Sequence, residues 1–254
     1  MKRAILFTFI VSIVFGFQSK AQEALETEVI PLSLIHTSVG FYTPGADLAV
    51  NYGANAGIGI SFEQKFSNNL SLIVEANYFF GSDVKNDSLL RNLATNSSDN
   101  QFVINQQGTL SDLVLSERGY SFNLKVAKLF PVIGPNPNSG LKVSLGAGFM
   151  EHKTRIEGDE RDLSYLDEEM KKGYDQLRNG FSTNQFIGYQ HLSNNRRVNY
   201  FIGLDFTQAF TENRRGYSYA SQTATEGKKL DLLYGIKLGW TLPLYQKIRT
   251  TYYY

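Results

Sequence analysis

Four charged residues stand inside apolar runs, and they are the first candidates for chemistry. Lys237 lies in LDLLYGIKLGWTLPLY (230–245), Glu75 in LSLIVEANYFF (70–80), Lys125 in YSFNLKV (120–126) and Asp205 in VNYFIGLDF (198–206). Two acids and two bases held away from water could make an ion path or a proton relay. Paired and hydrogen-bonded, the same four could be a purely structural polar core. Other chemistries have less to build on. The chain has no cysteine, so it has no thiolate nucleophile, no disulfide framework and no cysteine-held metal. Its three histidines, His36, His152 and His191, show no ligand spacing, and no cofactor or metal is expected. A formal net charge of +1 over 254 residues gives no basic surface for nucleic acid.

The elements that hold these charges repeat every two residues. In 230–242, Leu230, Leu232, Tyr234, Ile236, Leu238, Trp240 and Leu242 alternate with Asp231, Leu233, Gly235, Lys237, Gly239 and Thr241. Such alternation puts the two sets on opposite faces of a β-strand. AGIGISF (56–62), LSLIVEANYFF, YSFNLKV, LKVSLGAGF (141–149) and VNYFIGLDF behave alike. HTSVGFYT (36–43) alternates weakly. TNQFIGYQHL (183–192) has strand composition, with Ile187 and Tyr189 expected outward. That makes eight strands, many of them longer than the ~5–6 residues usual in soluble sheets.

Connections alternate as well. Short turns, SNN (67–69), PVIGPNPNS (131–139) and SNNRR (193–197), trade places with long segments at 44–55, 81–117, 157–180 and 211–228. Short turns on one side and long loops on the other are the pattern of an antiparallel up-and-down transmembrane barrel. The expected fold is therefore all-β, an eight-stranded outer-membrane barrel. Its apolar set faces lipid and its polar set faces a filled lumen. A lysine on the lipid face at mid-membrane costs roughly 2–4 kcal/mol, which an inward position avoids. Strand direction pairs Glu75 with Lys125 and Asp205 with Lys237. Eight strands leave little more than side-chain volume inside, so no open pore is expected. Tyr78, Phe80, Tyr120, Phe149, Phe210, Tyr234 and Trp240 are suited to aromatic girdles at the two interfaces.

Residues 1–21 read as a secretory signal. Lys2 and Arg3 precede the apolar run AILFTFIVSIVFGF (4–17), and SKA (19–21) offers a cleavage site before Gln22. A short periplasmic segment, 22–34, then leads to the barrel at 35–245 and a tail at 246–254. Both termini are expected in the periplasm. Among the loops, 81–117 is rich in Asn, Ser, Asp and Gln and is expected to be exposed and partly mobile. DLSYLDEEMKKGYDQL (162–177) has Leu163, Leu166 and Met170 at helical spacing, followed by Tyr174. A short amphipathic helix there could contact a partner or pack on its own loops. Arg214 and Arg215, in ENRRGYSYA (212–220), could touch lipopolysaccharide phosphates or pair with EGDERD (157–162).

HLSN (191–194) resembles the H-x-S-N signature of the outer-membrane lipid A deacylases, which are also small barrels. The resemblance implies Ser193 as nucleophile and His191 as base, with Asp205 the available acid where that family has Glu. Asp205 lies about eight residues up the next strand, roughly 25 Å away at ~3.3 Å per residue, too far to orient the base. The eight strands, the closing run 230–245 and the tyrosine-rich tail resemble the small outer-membrane β-barrel proteins of Bacteroidota. That class includes the PorT-like barrels and is architecturally similar to OmpA and OmpX. The resemblance implies a non-catalytic barrel that presents its loops to lipopolysaccharide or to another outer-membrane or periplasmic protein. It also implies an accessory role in secretion, barrel assembly or envelope integrity. A lipid-modifying enzyme and a small-solute channel are the alternatives.

Overall fold

The computed structural model of the chain describes residues 27–85, 89–90, 102–105, 107–158, 166–225 and 227–244. The signal sequence, Leu163 and the C-terminal tail lie outside them. Among the described residues, eight long strands close a barrel in simple chain order. They are β1 (Leu32–Gly45), β2 (Asn55–Lys65), β3 (Leu70–Gly81), β4 (Val114–Phe130), β5 (Gly140–Glu157), β6 (Arg178–Leu192), β7 (Asn199–Asn213) and β8 (Lys228–Leu244). Every neighbour pair is antiparallel, and β8 returns to β1 with Val39 opposite Leu238. Two short helices interrupt the loops, α1 (Ala46–Asn51) and α2 (Glu168–Tyr174). Small hairpins stand at Phe102–Ile104 with Leu110–Asp112, and at Tyr217–Ser218 with Thr223–Ala224.

The period of two becomes an inside and an outside. Leu124 is 61% exposed while Lys125 beside it is 2% exposed. On β3 the outward set is Leu70, Leu72, Val74, Ala76, Tyr78 and Phe80. Ten residues at ~3.4 Å, tilted by about 40°, give an apolar band about 25 Å tall, the height of a bilayer's hydrocarbon layer as barrels present it. The outward face turns polar at a clear position near the loop end. Tyr120 gives way to Arg118, Phe149 to Glu151, Phe181 to Asn179, Phe210 to Glu212 and Leu230 to Lys228. Tyr234, expected at a girdle, instead sits lower on β8 and packs edge-on against Phe206 at 6.0 Å. One polar patch breaks the apolar exterior: Thr183, Gln185 and Gln208 bond to one another across β6 and β7.

Inside, large side chains lie over glycines. A Cβ on Gly119 would stand 2.2 Å from the Phe79 ring, on Gly235 2.3 Å from Tyr42 and on Gly239 2.2 Å from Phe201. Alternating bulk with glycine lets a narrow barrel fill itself without voids. Both mouths are shut. At the turn end, Leu32, Leu34 and Leu192 form an apolar plug, and Asn138 receives bonds from Lys65 Nζ at 2.9 Å and from the Ile30 amide at 3.1 Å. At the loop end, α1 tucks Leu48 among Tyr42, Tyr52, Phe79, Met150 and Leu233.

Several boundaries differ from the sequence expectation. β1 starts at Leu32, so 32–34 belongs to the barrel wall. β4, β5, β6 and β7 run farther toward the loop end than the alternation suggests. There the outward residues become charged, both faces turn polar in places, and the period fades although the ladder continues. The segment 81–117 was expected to be exposed, yet Leu89, Leu90, Val103 and Leu113 are buried. α1 was expected to be plain loop; six residues are too few to show a helical period.

Candidate functional site

Two regions could carry function: the ionised lumen and the crown of loops above it. In the lumen, Glu75, Lys125, Asp205 and Lys237 come together, all buried. Lys125 Nζ donates to Glu75 Oε1 at 2.6 Å, and Lys237 Nζ lies 2.9 Å from Glu75 Oε2. Lys237 also donates to Asn77 Oδ1 at 3.1 Å. Asp205 accepts from Asn184 Nδ2 at 3.2 Å and stands 4.0 Å from Lys125. Glu75 is thus the shared acid of both lysines, and the expected Asp205–Lys237 contact is replaced. Along the wall Lys237 faces Gly203 and Asp205 faces Gly235, so its ammonium reaches across the bore instead.

Nearer the turn end lies a second network. His36 bridges Glu63 Oε2 and Thr241 Oγ1, each at 2.8 Å. Lys142 Nζ contacts the same Glu63 oxygen and donates to Gln190 Oε1 at 2.7 Å. A third sits toward the loops, where Asp231 Oδ2 meets His152 Nε2 at 2.9 Å and Thr211 Oγ1 at 2.5 Å. None of Glu63, Lys142, His152 or Asp231 was singled out as a site residue. The signal was present in the parity of the strands: Glu63 continues the set of Ser61, and His152 that of Lys142 and Ser144.

These networks hold buried charge in place, since an ion left without its partner in a dry interior costs several kcal/mol. A cavity of about 30 Å³ is lined by residues including Glu63, Glu75, Lys125, Lys142 and Lys237. Another of about 20 Å³ lies by Asn77, Asp205 and Met150. Each has room for about one water, which leaves no width for a solute.

The crown has the opposite construction. Leu166 and Tyr174, proposed from sequence as partner contacts, are buried with Leu90, Val103, Leu113 and Ile156, and Met170 packs against them. The apolar face of α2 therefore serves its own loops. Asp167 caps α2 by accepting from the Met170 amide at 2.8 Å. Its acidic first turn and basic last turn pair as Glu168–Lys171 at 3.1 Å and Glu169–Lys172 at 2.6 Å. Arg215 grips Asp175 with two bonds, at 2.9 and 2.5 Å, and these raise its guanidinium further above its ordinary range. Asp175 is thus its partner among the described residues; of the acidic stretch 157–162, residues 159–162 lie outside them. Arg214 is exposed and donates to Asn179. Burial pushes the Tyr174 phenol up.

HLSN does not assemble a catalytic group among the described residues. Ser193 Oγ donates to Asn195 Oδ1 at 2.5 Å, and His191 stacks on Tyr200 at 5.0 Å. Asp205 belongs to the lumen cluster. Nor do the described residues contain a metal-ligating cluster.

No family model matches the chain, and no curated protein matches its sequence. Among solved structures it is similar to Ail, the attachment invasion locus protein of Yersinia pestis, in complex with the heparin analogue sucrose octasulfate. That match has 10% identity and a TM-score of 0.42, and covers 84% of this chain and 99% of that one. Neisserial surface protein A matches at 12% identity and TM-score 0.39, covering 81% and 95%. The outer membrane protein OprG from Pseudomonas aeruginosa matches at 11% and 0.38, covering 86% and 99%. Likeness of this degree concerns barrel shape and says nothing of ligand or partner.

Proposed function

We propose that the chain is an integral outer-membrane barrel, non-catalytic and non-conducting, that works through its crown of extracellular loops and has both termini in the periplasm. One observation carries this reading: an apolar band about 25 Å tall wraps an interior of paired ions. No aqueous fold has a reason to invert its polarity so. The crown contributes a folded surface on the far side, and lipopolysaccharide is the ligand class it is suited to. Fractionation tests the location, with the folded barrel expected in the outer-membrane fraction as a heat-modifiable band. Planar-bilayer recordings test the plug and are expected to stay silent. Recovery of the native protein in the soluble periplasm, or stepwise conductance, would reject the reading.

An accessory role in a larger membrane complex is a second reading. It rests on the resemblance to Bacteroidota barrels and on the outward trio Thr183, Gln185 and Gln208. Polar groups in the hydrocarbon layer are natural contacts between membrane proteins. Gln185 and Gln208 changed together to Leu should then release a partner that co-purifies with the native protein in mild detergent. Purification of the native protein alone under those conditions rules this role out.

A further inference from the structure

A crevice of about 640 Å³ opens between the extended β4–β5 hairpin and α2. Its lining includes Tyr78 and Tyr120, lipid-facing aromatics just below the polar turnover on β3 and β4. The acids around it are occupied. Glu157 holds Arg155 at 2.7 Å, Glu168 holds Lys171, Asp175 holds Arg215, and Glu151 accepts from Asn179 Nδ2 at 2.8 Å. Of the cations that line the crevice, two have no carboxylate partner among the described residues: Arg118 and Lys153. They face each other directly across β4 and β5. Arg118 rests over the Phe80 ring, at 6.0 Å from its centroid, and one of its amino groups reaches only its neighbour's carbonyl. Like charges directly opposite on a sheet destabilise it.

We propose that Arg118 and Lys153 form a binding site for a phosphoryl group carried on an outer-leaflet lipid. The inference rests on the membrane reading above and gives its loop-end ligand an address. A phosphate seated between the two cations turns their repulsion into two charge-assisted contacts. The guanidinium fork and the ammonium suit its oxygens. The position favours a lipid over a free ion. The cations stand at the top of the aromatic belt, level with Phe80, where headgroups lie, and below them Tyr78, Tyr120, Phe122 and Phe149 line the path of acyl chains. The volume admits a sugar-sized headgroup as well as its phosphate.

The test uses the mature barrel in maltoside micelles and native mass spectrometry. Three probes are compared: an acylated, phosphorylated glucosamine disaccharide, its dephosphorylated form, and inorganic phosphate. The phosphorylated lipid is expected to bind at least about ten-fold more tightly than the dephosphorylated one, as loss of two charge-assisted bonds implies. R118S/K153S should erase that preference, while Lys229→Ser, on β8 away from the crevice, should keep it. Equal binding of both lipids by the native protein overturns the proposal without recourse to any variant. So does an undiminished preference in R118S/K153S. Inorganic phosphate that displaces the lipid at matching concentration assigns the site to a free anion and rejects the lipid. Heat-modifiability of each sample is read alongside. A barrel that stays folded but shows no preference loses this site only, whereas one that never enters the membrane fraction removes the underlying reading.

Discussion

β5 passes through two environments, and its halves are built inside out relative to each other. Below the turnover, Leu141, Val143, Leu145 and Phe149 point outward while Lys142 and Ser144 point in. Above it, Lys153 and Arg155 point outward while Ile156 is buried in the crown. One strand with one parity thus serves two solvents. Where hydrocarbon lies outside, ions go to the middle and must find one another. Where water lies outside, the ordinary rule returns and apolar groups gather within. The lumen is consequently a lattice of specific partners, and the crown is a small hydrophobic core with a charged skin.

This contrast can be broken at graded cost. The largest effect is expected at Glu75, the acid shared by Lys125 and Lys237. Glu75→Ala leaves two buried like charges, and urea refolding into micelles should show a loss of roughly 3–5 kcal/mol. Changing Glu75, Lys125, Asp205 and Lys237 together to Leu, Met, Asn and Met, which leaves no lone ion in the cluster, should recover most of it. No recovery would mean that the network does more than neutralise itself. Next comes Leu145→Arg on the lipid face, at roughly 2–4 kcal/mol in the same assay. Arg155→Leu, ten residues on along the same face, should change stability by less than about 0.5 kcal/mol.

Crown substitutions should be local. Leu166→Ala is expected to cost the crown about 2–3 kcal/mol, seen as faster proteolysis of the loops while the heat-modifiable barrel persists. Loss of the barrel with the crown would erase the distinction between the two regions. Arg215→Lys gives up the two-pronged grip of a partly exposed guanidinium on buried Asp175 and should cost about 1 kcal/mol, again by loop proteolysis. The smallest effect is expected from Ser193→Ala, with lipid acyl content unchanged by mass spectrometry. A change there would revive the hydrolase alternative.

Particular residues show how far the sequence could be read. Lys125 and Lys237 declared their direction through their neighbours, because Leu124 and Leu238 had to take the other face. Glu63 and His152 obeyed the same parity but stood just beyond the runs where alternation is clean. Leu90, Val103 and Leu113 gave no such sign. Their loops are polar on average, and a few apolar residues scattered through them look the same whether they meet one another or water.

By itself the sequence determined the eight strands, their two faces and the seclusion of their charges. A strand's side chains alternate through local backbone geometry, and each residue therefore reports its own side. Only the closed barrel decided that Lys237 answers to Glu75 rather than Asp205, and that the greasy face of α2 is already covered. Those contacts depend on strand tilt and stagger and on how loops from distant parts of the chain meet, which no local pattern encodes.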